Sequence, residues 1–117
     1  MRIDWVDHVA FSVSDQERSI SWYEDVLGLD EIHPEWERHP AMLHRGGSGV
    51  ALFAGGEREP GFLHLAFRVD GASFVEAQER LGERGISFRV VDHGTAHSLY
   101  FEDPDSIRLE LTTYDVG

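Results

Sequence analysis

The sequence predicts an α+β fold built from two β-α-β-β-β modules within a single domain of 117 residues. Three observations carry that prediction. A phrase is written twice, His8-Val9-Ala10-Phe11-Ser12-Val13 and His64-Leu65-Ala66-Phe67-Arg68-Val69, and self-similarity of this kind marks a duplicated unit. Each copy alternates with the period of a strand and then passes into a stretch of helical periodicity closed by glycine. Each continues into three short strand-like runs.

In the first module, residues 1–56, Val9, Phe11 and Val13 alternate with His8, Ala10 and Ser12 in a strand expected over Trp5–Val13. Ser14 and Asp15 offer N-caps for a helix through Leu27, with Ile20, Tyr23 and Leu27 on one side and Gly28 as its stop. Strands are expected at Glu31–His33, Ala41–His44 and Val50–Phe53, with a turn at Gly46-Gly47-Ser48-Gly49. Gly55–Gly61 reads as a connector. In the second module, residues 57–117, a strand is expected at His64–Val69 and a helix at Gly71–Arg84. Phe74, Gln78 and Leu81 share a side of that helix, and Gly85 closes it. Strands at Ser87–Val91, Ser98–Glu102 and Ile107–Thr113 complete the repeat.

Composition narrows the chemistry. The chain has no cysteine, which excludes thiol nucleophiles, zinc-thiolate sites and disulfides and fits a reducing cytoplasm. All ten basic residues are arginine, so lysine-based covalent catalysis is excluded too. The formal charge of −12 disfavours nucleic acid and anionic membranes as partners, and its simplest role is solubility. No apolar run reaches the length of a membrane span, and Met1-Arg2-Ile3-Asp4 does not open a signal peptide. A soluble, cytoplasmic protein is expected.

Strand parity places the candidate ligands. Ile107, Leu109 and Leu111 share one face of the last strand and are expected to pack beneath a helix, leaving Arg108, Glu110 and Thr112 opposite. Glu110 thus lies on the kind of face that His8 and His64 occupy. Taken singly, each reads as a packed histidine or a solvated glutamate. Together, two imidazoles and one carboxylate are a donor set for Fe(II), Mn(II) or a similar divalent ion, with positions left open for substrate.

These residues resemble the vicinal oxygen chelate superfamily, which includes glyoxalase I, fosfomycin-resistance proteins, bleomycin-binding proteins and extradiol dioxygenases. The resemblance spans nearly the whole chain. It rests on Asp7-His8-Val9-Ala10-Phe11, on Trp22-Tyr23-Glu24-Asp25-Val26-Leu27-Gly28-Leu29, on Leu63-His64-Leu65-Ala66-Phe67, and on Tyr100-Phe101-Glu102-Asp103-Pro104-Asp105-Ser106 leading to Glu110. It implies a cupped, barrel-like mixed sheet with helices outside, a metal held by His8, His64 and Glu110, and a homodimer in which His8 of one chain can meet His64 and Glu110 of its partner.

The branch is read from what surrounds those ligands. The glyoxalase pattern places a second carboxylate in the last strand of the first module, where Val50-Ala51-Leu52-Phe53-Ala54 has none, and Glu57 and Glu59 lie beyond it. The extradiol pattern of histidine, tyrosine, Asp-Pro turn and glutamate is matched by His93, Tyr100, Asp103-Pro104 and Glu110, with Ser106 standing where glycine or proline is expected. The resemblance therefore implies a dioxygenase-like enzyme with Fe(II) or Mn(II), in which His93 serves as acid-base and Tyr100 as a hydrogen-bond donor. His97 competes with His93 for its role. The alternatives are a glyoxalase- or fosfomycin-type lyase or transferase and a metal-free, bleomycin-resistance-like binding protein. His33, His39 and His44 are expected in surface or packing roles, Trp22 and Tyr23 in the core or an interface, and Trp36 at a rim.

Overall fold

The computed structural model describes residues 1–2, 4–55 and 63–116. The chain divides into two compact units, Met1–Pro60 and Gly61–Gly117. In the first, β1 (His8–Val13) leads through α1 (Gln16–Leu27) to β2 (Asp30–Ile32), a 3-10 turn at Pro34–Trp36, β3 (Ala41–Arg45) and β4 (Ser48–Ala54). The second repeats the order with β5 (His64–Arg68), α2 (Gly71–Glu83), β6 (Arg89–Asp92), β7 (His97–Glu102) and β8 (Arg108–Thr113). Apart from Gly55, the expected connector lies outside the described residues. No helix among the described residues is long and apolar enough to cross a membrane.

The α+β class and both β-α-β-β-β orders are as expected, and the strands form two four-stranded mixed sheets, β1-β4-β3-β2 and β5-β8-β7-β6. In each, the first strand lies parallel to the last and the other neighbours are antiparallel. Parallel neighbours need a long crossover, and the helix of each module provides it.

Both helices are capped as their sequences specify. The Asp15 carboxylate accepts from the Arg18 amide at 3.0 Å and that of Asp70 from the Ser73 amide at 2.7 Å. Gly28 takes the left-handed conformation at φ 67°, where a side chain would be strained. Ile20, Tyr23 and Val26 of α1 are buried, as are Phe74 and Leu81 of α2. Under α2, Leu65, Leu109, Leu111, Leu99 and Phe101 form the apolar face of the second sheet.

Several element ends differ from expectation, each for a local reason. β1 begins at His8, not Trp5, because its partner β4 starts only at Ser48; Trp5 instead donates through its indole to the Gly47 carbonyl at 2.9 Å. β2 ends at Ile32 because His33 turns to φ 56°. The expected four-residue turn contracts to Gly46-Gly47, with φ 64° and 86°, as a two-residue hairpin between Arg45 and Ser48 requires. β6 shifts to Arg89–Asp92 to match its partners Tyr100 to His97.

Candidate metal centre

In the second module, β5, β8, β7 and β6 lie side by side, and paired residues on neighbouring strands share a face. Ala66 pairs with Glu110, Glu110 with Tyr100, and Tyr100 with Arg89, so four strands place one row on one face. The adjacent row is His64, Arg108 and Glu102. His64 Nε2 lies 2.8 Å from Glu110 Oε1. Two of the three expected metal ligands are thus brought together within this module.

Glu110 is held with its two oxygens in different roles. Oε2 accepts from the Ser98 hydroxyl at 2.7 Å and from the Thr112 hydroxyl, while Oε1 faces the imidazole. Partial burial acts to raise the carboxyl, but the hydrogen bonds from Thr112 and Ser98 and the interaction with His64 outweigh it and hold the group below its ordinary value. The ionised form is therefore kept, with one oxygen anchored and the other presented. A nitrogen and a carboxylate oxygen at this separation fit a divalent ion as adjacent ligands. Thr112 was reachable from sequence, being two residues from Glu110 on one strand. Ser98 was not, because its position depends on the β7–β8 register.

The residues expected to act on substrate also sit in this module. The Tyr100 ring lies 6.0 Å from that of His64, and its hydroxyl is 3.2 Å from His93 Nε2. The Arg89 guanidinium covers the Tyr100 ring at 5.4 Å. Beside them opens a cavity of about 640 Å³ whose lining includes Phe88, Arg89, Tyr100, Phe101, Glu102 and Arg108. His64 and Glu110 do not line it; Tyr100 joins the two. His97 lies on the opposite face from Tyr100, 3.4 Å from Asp92 and with its ring near Phe74.

His8, the third expected ligand, stands at the start of β1 in the first module. Its Nδ1 donates to Asp7 Oδ2 at 2.8 Å. That hydrogen bond holds the exposed Asp7 carboxyl below its ordinary value. His44 lies close by, with its Nε2 buried 3.5 Å from Asp7 Oδ2. The strand register brings it beside His8: His8 pairs with Gly49 and Gly49 with His44, which sets both imidazoles on one face across a glycine. His33, by contrast, stacks on the half-exposed Trp36 at 4.2 Å and bonds Glu35. Trp22 packs edge-on against the fully buried Tyr23.

Fold and site define a class, and comparison with known proteins establishes it. The chain belongs to the glyoxalase/bleomycin resistance protein/dioxygenase superfamily, whose family model matches residues 5–111. It is similar to a metallothiol transferase FosB of Staphylococcus epidermidis, with 33% identity across 97% of this chain and 84% of that protein. It is also similar to a glutathione transferase FosA of Serratia marcescens, with 30% identity across 91% and 78%. Among solved structures, an integron cassette protein from a Halifax Harbour sewage outfall superposes with a TM-score of 0.81 at 28% identity, covering 95% of this chain and 99% of that one. The fosfomycin resistance protein FosX of Mesorhizobium loti does so at 0.73 and 29%, covering 96% and 93%.

Proposed function

We propose that the protein is a divalent-metal-dependent transferase of the fosfomycin-resistance type, joining a low-molecular-weight thiol to a small anionic substrate that presents adjacent oxygens. The observation that carries this reading is the His64–Glu110 pair on a sheet face that also bears Arg68, Arg89 and Arg108, three of the ten arginines in an otherwise acidic chain. The named FosA and FosB relatives are both thiol-type transferases, which draws the reading away from dioxygenase chemistry and from Fe(II).

His64 and Glu110 would hold the ion, with His8 as the third ligand that the family pattern implies. Mn(II) is the ion we expect. When bound, it supplies Lewis-acid polarisation of the substrate oxygens. Ser98 and Thr112 keep Glu110 Oε2 occupied and leave Oε1 facing His64, free to serve as a ligand when a metal binds. Arg89 and Arg108 attract the substrate's negative group, since guanidinium is matched in geometry to phosphonate and carboxylate oxygens. Tyr100 donates a hydrogen bond to a substrate oxygen and is oriented by His93. The attacking thiol comes from a second substrate, because the chain contains no cysteine. The protein acts as a cytoplasmic homodimer.

The test is direct. Mn(II)-loaded protein incubated with fosfomycin and a panel of low-molecular-weight thiols is expected to yield a thiol adduct by mass spectrometry, at least a hundredfold faster than Glu110→Gln protein. Failure of every thiol to give adduct defeats the transferase reading. Ring cleavage is the second reading, favoured by the His93–Tyr100 contact, and oxygen uptake with a catechol panel would put it ahead.

A further inference from the structure

We propose that the first module carries a transition-metal site of its own, formed by Asp7, His8 and His44 and independent of Glu110. One ligand atom from each residue lies within 4.8 Å of the others. Asp7 Oδ2 is 2.8 Å from His8 Nδ1 and 3.5 Å from His44 Nε2. Ligands bound about 2.1 Å from an ion at tetrahedral or octahedral angles stand roughly 3.0 to 3.4 Å apart. The two measured separations bracket that range, so small side-chain rotations make room for an ion.

Two further observations point the same way. His44 Nε2 is buried and has no hydrogen-bond partner among the described residues, an arrangement that ordinarily costs stability and that a metal ion relieves. Gly49 lies between the two histidines in the strand register, and a Cβ there would come within 2.8 Å of His44 Cδ2 and 1.8 Å of the Leu43 carbonyl oxygen. Only glycine leaves the His44 ring its place beside β4. Two imidazoles and one carboxylate suit Co(II), Ni(II) or Zn(II), whereas Mg(II) and Ca(II) prefer all-oxygen sets.

Binding requires a lone pair on His8 Nδ1, so the proton now shared with Asp7 moves to Nε2. A neutral imidazole has one lone pair. Occupancy therefore withdraws His8 from the ligand set proposed above and makes this an inhibitory site; that consequence alone rests on the earlier reading.

Cobalt(II) titration followed by visible absorption tests the site. Metal-free Glu110→Gln protein is expected to bind one Co(II), and adding Asp7→Asn or His44→Gln is expected to weaken that binding at least tenfold. Asp7 is exposed, so D7N keeps the fold even if H44Q does not, and an unchanged melting temperature verifies this. The proposal is overturned if E110Q protein binds no Co(II), or if it binds Co(II) equally well with D7N added. The earlier reading fails separately, on Mn(II) affinity that E110Q leaves unchanged in otherwise native protein.

Discussion

The two modules share one topology and one register but not one chemistry. Ala10, Ala51, Met42 and Ile32 form a row across the first sheet, and Ala66, Glu110, Tyr100 and Arg89 form the matching row across the second. The first row is apolar, with Ala51 and Met42 buried; the second supplies a carboxylate, a phenol and a guanidinium. One row over, His8, Gly49 and His44 correspond to His64, Arg108 and Glu102. Backbone pairing therefore decides where a side chain can stand, while the residue placed there decides whether the position does chemistry. Burial follows the same pattern on the helix-facing sides, where Val50 and Leu109, matched in register, are both fully buried.

The sharpest break in the symmetry is predicted at the Gly49 and Arg108 pair. A Cβ at residue 49 meets a backbone oxygen at 1.8 Å, so Gly49→Ala forces the β3–β4 ladder apart and is expected to lower unfolding free energy by about 3 kcal/mol. Arg108 is exposed at the equivalent position, and Arg108→Ala is expected to change stability by less than about 1 kcal/mol. Urea denaturation of the two variants decides it. Equal losses would mean that the modules tolerate substitution alike and that the register match carries no packing information.

The repeated His-aliphatic-Ala-Phe phrase made the duplication legible, since period-2 alternation and capped helices are local signals. Glu110, His8 and His64 were legible as residues of one kind of face because parity along a strand is set by the chain itself. What joins strands was not. The His64–Glu110 distance, the Ser98 hydrogen bond and the Asp7–His8–His44 cluster all depend on register between strands far apart in sequence, which a single sequence does not encode locally. The expected strand Trp5–Val13 ran too long for the same reason, since its end is set by where β4 begins.

A smaller effect separates the modules at the position held by Ala51 in the first and Glu110 in the second. Glu110 needs hydroxyl donors on Oε2, whereas Ala51 needs none, so Ser98→Ala should damage only the metal centre proposed in the second module. Loss of an outer hydrogen bond to a metal-binding carboxylate typically lowers affinity by about 10- to 100-fold. We expect at least a tenfold rise in the Mn(II) dissociation constant for Ser98→Ala, larger for Ser98→Ala combined with Thr112→Val. Isothermal titration calorimetry reads it. A Ser98→Ala protein that binds Mn(II) as the parent does would show that Glu110 is positioned by His64 and packing alone.

The smallest effect concerns the turns that feed the last strand of each module. Before β4 the chain reverses through Gly46-Gly47, where positive φ is free of side-chain strain; before β8 it passes through Ser106 at φ 64°. Asp103 imposes that conformation, because its Oδ1 accepts from the amides of Asp105 and Ile107, each at 2.8 Å, and its carbonyl accepts from the Ser106 amide at 3.0 Å. Left-handed backbone costs a residue bearing a Cβ about 1 kcal/mol or more. Ser106→Gly removes that strain but frees more of the unfolded chain, which returns roughly half of the gain. The expected net result is a stabilisation of about 0.5 kcal/mol by thermal unfolding. Ser106→Ala keeps the strain and is expected to give no gain, so equal melting temperatures for the two variants would show that the Asp103 hydrogen bonds already absorb it.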